Sequence, residues 1–133
     1  MADFKAIGQY DTVLATIASA TVIEAGDLVT ESSGLIIKAV AGSTSVAFAP
    51  AGSADGETEI EVTNGRVDLI GTADANFAVT MKGTEVDLVG TTTQLIDVGA
   101  SSTNVLLVSM KQDAGTVGAT TNVKVEINKP INF

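Results

Sequence analysis

Along most of this chain apolar and polar positions alternate over short runs, and turn residues interrupt those runs at close intervals. Residues 57–63 are the clearest case. Thr58, Ile60 and Val62 fall on one face and Glu57, Glu59 and Glu61 on the other, the period-two pattern of a half-buried strand. Residues 13–17 read the same way, with Val13, Ala15 and Ile17 set against Leu14, Thr16 and Ala18. A helical turn over 15–20, capped by Asp11, is the alternative there. The density of β-branched residues (Thr12, Val13, Thr16, Ile17, Thr21, Val22) favours the strand.

Further strands are predicted over 28–30, 35–40, 46–49, 67–70, 77–81, 95–98 and 123–128. Ala25-Gly26-Asp27, Ser32-Ser33-Gly34 and Gly42 supply turns between the early ones. Pro50 stops a strand or confines it to an edge, and residues 51–56 form a small-residue loop. Asn64-Gly65 is a strong two-residue hairpin signal, expected to join 57–63 to 67–70. The pattern as a whole predicts an all-β protein of short strands.

One recurrence stands out. Val67-Asp68-Leu69-Ile70-Gly71-Thr72 is echoed by Val86-Asp87-Leu88-Val89-Gly90-Thr91 and more weakly by Val105-Leu106-Leu107-Val108, at a spacing of 19 residues. A period of this length fits one coil of a β-solenoid. It equally fits a meander, because two strands with their turns fill about that length, and the meander is preferred. The expected organisation is an arm and first strand over 1–21, a β-unit over 22–71, and a further β-meander over 72–133, with the whole able to form one continuous domain.

Composition narrows the chemistry. The chain has 133 residues, 45% of them hydrophobic, with four Phe, one Tyr and no Trp. A core of small aliphatic side chains buries less area per residue than an aromatic one, so stability gained through assembly is expected. Without Cys or His, disulfides, thiolates and the commonest general base are excluded. A net charge of −9 disfavours contact with nucleic acid or anionic lipid. No leader pattern or membrane-length apolar run is read in the sequence, so the chain is expected to be made in a cytoplasm.

Carboxylates are the remaining candidates. Glu57, Glu59 and Glu61 line one strand face at about 6.5–7 Å intervals, a row that does not wrap an ion as a calcium loop does. Asp68 and Asp87 occupy matching places in the recurrence and are expected to face outward together. Paired carboxylates suit glycoside hydrolysis, but the chain has almost none of the stacking aromatics that a sugar site needs. Asp55-Gly56-Glu57 and Asp74-Ala75-Asn76 are explained by turn chemistry. No catalytic, cofactor-binding or metal-binding residue is therefore assigned, and a non-enzyme is expected. The segment 1–10, with Phe4, Lys5, Ile7 and Tyr10, either packs on its own core or adds a strand to a partner's sheet.

Residues 22–71 carry a resemblance beyond fold class. Ala25-Gly26-Asp27-Leu28-Val29, the strand 34–39, the small-residue stretch 46–52, Asp55-Gly56 and the Thr- and Val-rich run 58–67 resemble the capsid decoration (cement) proteins of tailed bacteriophages, the lambda-like head-decoration family. The resemblance covers under half of the chain and rests on turn and strand chemistry. It implies a β-clip or barrel-like N-terminal half and homotrimers on the outer capsid surface of a virion. The implied partner is a major capsid protein, with a role in stabilising the mature shell and no nucleic-acid or membrane contact. Apolar or arm residues near the chain ends, Phe4, Lys5, Ile7, Tyr10, Ile131 and Phe133, are the expected partner contacts. A β-sandwich adhesin or glycan-binding module and a self-assembling tail or surface-layer subunit are the competing expectations.

Overall fold

Leu28, Val29 and Thr30 are all buried in succession, which a strand achieves only when both of its faces are covered. That strand is the middle of the fold. The computed structural model describes residues 3–19, 21–90 and 92–133. Ala20, at the end of the alternative helical turn, and Thr91, in the second copy of the recurrence, lie outside them, as do residues 1 and 2 of the arm.

The described residues form eleven strands, one 3-10 turn and no α-helix. The strands are β1 (Phe4–Ile7), β2 (Asp11–Thr16), β3 (Leu28–Ser32), β4 (Leu35–Lys38), β5 (Ala47–Phe48) and β6 (Glu59–Asn64). There follow β7 (Asp68–Gly71), β8 (Glu85–Val89), β9 (Leu95–Asp97), β10 (Leu106–Val108) and β11 (Val123–Ile127). They make a six-stranded sheet in the order β1-β7-β11-β10-β8-β9, a three-stranded sheet β4-β3-β5 and a two-stranded ribbon β2-β6. Every pairing between named strands is antiparallel, so the chain is all-β and is not a parallel solenoid. Among the described residues no sheet closes into the barrel-like form that the resemblance implies for the N-terminal half.

The three-stranded sheet is a wall shared by two cores. Leu28, Ala39, Val46 and Phe48 point into the core under the six-stranded sheet, with Leu69, Phe77, Leu88, Ile96, Leu106 and Ile127. Val29, Ile36, Ala47 and Ala49 point the other way, against Ile60 and Val62 of the ribbon and against Ile17, Ile23 and Ile131. The chain from 46 to 49 shows the division residue by residue. Its larger side chains, Val46 and Phe48, enter the first core, and its alanines enter the second, which lets the ribbon lie close.

The ribbon is fastened at two places. Phe48 N–H donates to the buried Thr63 hydroxyl at 2.9 Å, and Ala18 N–H donates to Ile36 C=O at 3.0 Å beside a parallel bridge between Ile17 and Ile36. The six-stranded sheet is tied to the wall by Gln94, which is fully buried. Its carboxamide accepts from Leu28 N–H (2.8 Å) and donates to the carbonyls of Leu28 (2.7 Å) and Ala39 (2.8 Å).

Three expectations are corrected here. Asn64-Gly65 does not turn a hairpin: β6 pairs with β2, and β7 pairs with β1 and β11. A type I′ turn needs positive φ at both central residues. Of the two only Gly65 has it, at 86°, so the chain swings from the ribbon into the other sheet. The two-residue hairpin lies instead at Ser33-Gly34, where φ is 52° and 82° and Ser32 faces Leu35. Residues 77–81 are not a strand. Phe77 is buried in the first core, and Val79–Met81 makes the 3-10 turn. Finally, β7 and β8, which carry the recurrence, are not neighbours, because β11 and β10 lie between them.

The Gln94 tie gives the first prediction. Gln94→Leu keeps the volume but leaves Leu28 N–H and Ala39 C=O without that partner inside the core. Unfolding in urea should show a loss of about 2–4 kcal/mol; a loss within experimental error would mean the amide is dispensable.

Candidate functional site

Strand β1 is built by four residues of alternating character, Phe4-Lys5-Ala6-Ile7. Phe4 and Ala6 turn to the first core while Lys5 is exposed. Phe4 stands directly opposite Gly71 in the pairing with β7, and its ring fills the space that a side chain there would occupy. A Cβ on Gly71 would lie 2.5 Å from Phe4 Cε1. An aromatic ring laid over a cross-strand glycine supplies the packing that the glycine lacks.

β1 is also an edge of its sheet. Phe4 N–H points away from β7 and donates to Gly26 C=O at 3.1 Å. Backbone groups alternate in direction along an antiparallel strand, so Ala6 N–H faces the same outer side. Beside that edge runs a groove of about 330 Å³, lined by Phe4, Lys5, Ala6, Tyr10, Gly26, Phe48 and Pro50 among others. Tyr10 rests edge-on against Phe48, ring centroids 6.4 Å apart at 71°, which leaves the Tyr10 side chain partly exposed at 38%. Gly26 takes the Phe4 N–H, so the open part of the edge is at Ala6 beside the apolar slot, and an open edge of this kind receives an extended peptide as an added strand.

Of the six residues expected to meet a partner, Phe4, Lys5 and Tyr10 converge on this groove. Phe4 does so as a core residue, 2% exposed, with its ring committed to the interior. Ile7 is half-buried and lines a second, smaller groove of about 200 Å³ with Asp68, Ser109, Lys111, Lys124 and Val125. Ile131 lies away from both, buried in the second core with its N–H on Val46 C=O at 3.2 Å. Phe133 is half exposed and lines neither groove. Sequence reasoning missed Gly26, Phe48 and Pro50 as parts of the same surface. Their turn and strand roles were legible, but their meeting with Tyr10 depends on the register of three separate elements.

The carboxylates singled out in the sequence do not converge on one place among the described residues. Glu59 and Glu61 are exposed along β6, and Glu57 Oε1 accepts from Ala54 N–H at 2.9 Å. Among the described residues no group of three or more acidic side chains is arranged to hold a metal ion. Asp68 and Asp87 do not face solvent together. Asp68 is exposed, whereas Asp87 is buried beneath the segment 101–104. Its carboxylate accepts from the N–H groups of Ser102 (2.9 Å), Thr103 (2.8 Å) and Asn104 (2.8 Å). Burial acts to raise the Asp87 carboxyl, but those backbone donors outweigh it and hold the group below its ordinary value. Asp97, opposite Asp87 across β8 and β9, is pushed up by burial first, then by the charge of Asp74 and a hydrogen bond to it, with a further contribution from Asp87. The arrangement is one of strand architecture and loop anchoring.

Two predictions follow from this geometry. Gly71→Ala sets a methyl group against the Phe4 ring and should cost about 1–3 kcal/mol. Hydrogen exchange at the Lys5 and Ile7 amides, which face β7, should quicken more than exchange in β10 and β11; uniform change would show that Phe4 does not anchor the arm. For pH the signs differ. The raised Asp97 carboxyl costs stability while ionised, and that cost disappears as pH falls through its folded value; Asp87's contribution persists above about pH 4 and is lost below its lowered value. Asp97→Asn should therefore have a higher urea midpoint than the parent at pH 7, with the difference closing as pH approaches 4. A constant difference across that range would refute the assignment.

Comparison of the chain with protein-family models, curated proteins and solved structures gave no match.

Proposed function

We propose that this chain is a non-enzymatic structural protein that binds the outer surface of a tailed-phage capsid and stabilises the mature shell. The observation that carries the reading is the outer edge of β1 beside the groove of Tyr10, Phe48 and Pro50. It accords with the turn and strand pattern of 22–71 that resembles capsid decoration proteins.

In this reading an extended segment of the major capsid protein adds to β1. Main-chain hydrogen bonds to the edge supply affinity, and one apolar side chain in the groove supplies register. Each contact is small, so strength comes from several contacts per homotrimer and many copies per particle. A ligand that binds only the mature lattice stabilises that lattice by mass action. The acidic exterior, at −9 overall, keeps the decorated particle soluble.

The test is addition of the purified protein to expanded capsids that lack it. Saturable binding and a higher thermal disruption temperature are expected. Ala6→Pro removes the outward N–H of an edge strand, a place where proline is tolerated. That variant should keep the parent's unfolding midpoint within about 1 kcal/mol and bind at least about tenfold more weakly. No binding by the parent, or full binding by a folded Ala6→Pro variant, would reject the β1 edge as the docking site.

A further inference from the structure

The acidic row on β6 belongs to neither the β1 groove nor the buried carboxylates. Residues 11–64 hold eight Asp and Glu and a single basic residue, Lys38, so they carry seven of the nine net negative charges. Lys38 is already engaged: its Nζ donates to Thr92 C=O at 2.6 Å and lies 3.5 Å from the buried Asp27 carboxylate. No ion pair among the described residues includes Glu59 or Glu61. In the ribbon Leu14 stands directly opposite Glu61, and Thr16 opposite Glu59, so all four side chains share one face. Leu14 is 62% exposed there. This face is an apolar knob flanked by unpaired carboxylates.

The complement of that face is on the same molecule. Outside residues 11–64 the balance is eight acidic to six basic residues. Two of those bases, Lys111 and Lys124, border the groove of about 200 Å³ that Ile7 lines, with Asp68 the one acid in its lining. Lys124 is shared with the exposed Asp113 at 3.1 Å, and Lys111 is exposed. This is an apolar hollow flanked by cations, at a place on the surface formed by different strands from the knob.

We propose that copies of this chain bind one another head to tail, Leu14 of one copy seating against Ile7 of the next while Glu59 and Glu61 meet Lys111 and Lys124. The occupant is a second copy because its surface supplies both the hollow and the opposite charge. The contact joins two different patches, so it propagates into a closed ring or an open row according to its rotation angle. It does not rest on the capsid reading. The net negative charge of each copy opposes the approach, but at about 0.15 M salt repulsion beyond about 8 Å is screened, whereas pairs in contact persist.

Light scattering and sedimentation of the full chain at about 0.15 M NaCl test it. Average mass should rise with concentration between about 10 μM and about 1 mM, the range of a weak interface. Glu59→Lys with Glu61→Lys, and separately Lys111→Glu with Lys124→Glu, should each weaken self-association at least about tenfold. Mixing the two charge-reversed variants should restore it, since each then presents what the other lacks. Leu14→Asp, and Lys111→Glu alone, alter exposed side chains and should weaken association while leaving the urea midpoint unchanged. A parent that stays monomeric throughout, association indifferent to charge reversal, or a mixture that stays monomeric would each overturn the proposal.

Discussion

The carboxamide of Gln94 is the polar contact on which the layering depends. It sits in an apolar interior with no solvent access, and its acceptor and both donors are engaged by the backbone of Leu28 and Ala39. A buried amide without partners costs several kcal/mol, so the site admits one orientation of the β8–β9 connection against the wall and penalises displaced ones. Asp3 reinforces that orientation by accepting from Gln94 N–H at 2.9 Å, which brings the start of β1 to the same place. Hydrophobic contact alone would leave the two surfaces free to slide; this bond set fixes their register.

Around that fixed point the remaining connections are short and polar. Thr63 uses its hydroxyl to satisfy the buried Phe48 N–H, and Asp87 uses its carboxylate to hold the part-buried N–H groups of Ser102, Thr103 and Asn104. Arg66 spans the passage from ribbon to sheet, meeting Glu126 at 2.8 Å and Asn128 at 2.7 Å. Asn128 in turn donates to Glu85 and to the Asn104 carbonyl. The latter group is exposed, so its electrostatic contribution is small, but its geometry marks where the chain leaves one layer for the other. The two surfaces proposed for docking lie at the periphery of this frame. The β1 edge borders the first core, and the β2–β6 ribbon covers the second.

What the sequence disclosed was local. The alternation over 57–63 gave β6 and the facing of Ile60 and Val62, and the turns at Ser33-Gly34 and Pro50 bounded β3, β4 and β5 where they lie. Pairing was not legible. Asn64-Gly65 has hairpin composition, but which strand receives β7 is decided by burial of Leu69 against residues more than 50 positions later, such as Val125. The matching of Asp68 with Asp87 was a true repetition of strand phase. The segment 101–104 covers one copy and not the other, and no periodicity reports that. Gln94 gave no signal at all, because a lone glutamine among threonines has the composition of a surface loop. Of the arm residues, Phe4 entered the first core while Lys5 and Tyr10 stayed at the surface, and Ile131 was drawn into the interior by a bridge between Val46 and Pro130.

The shared wall also bears on how this molecule can change. Leu28 and Val29, or Phe48 and Ala47, are adjacent in the chain yet serve opposite interiors, and a shift of backbone that relieves crowding on one side creates it on the other. Melting of either half removes the support of its neighbour, so cleavage between them should yield no stable fragment. Divergence in such a chain is channelled to loops and outer faces, while the partition itself drifts slowly.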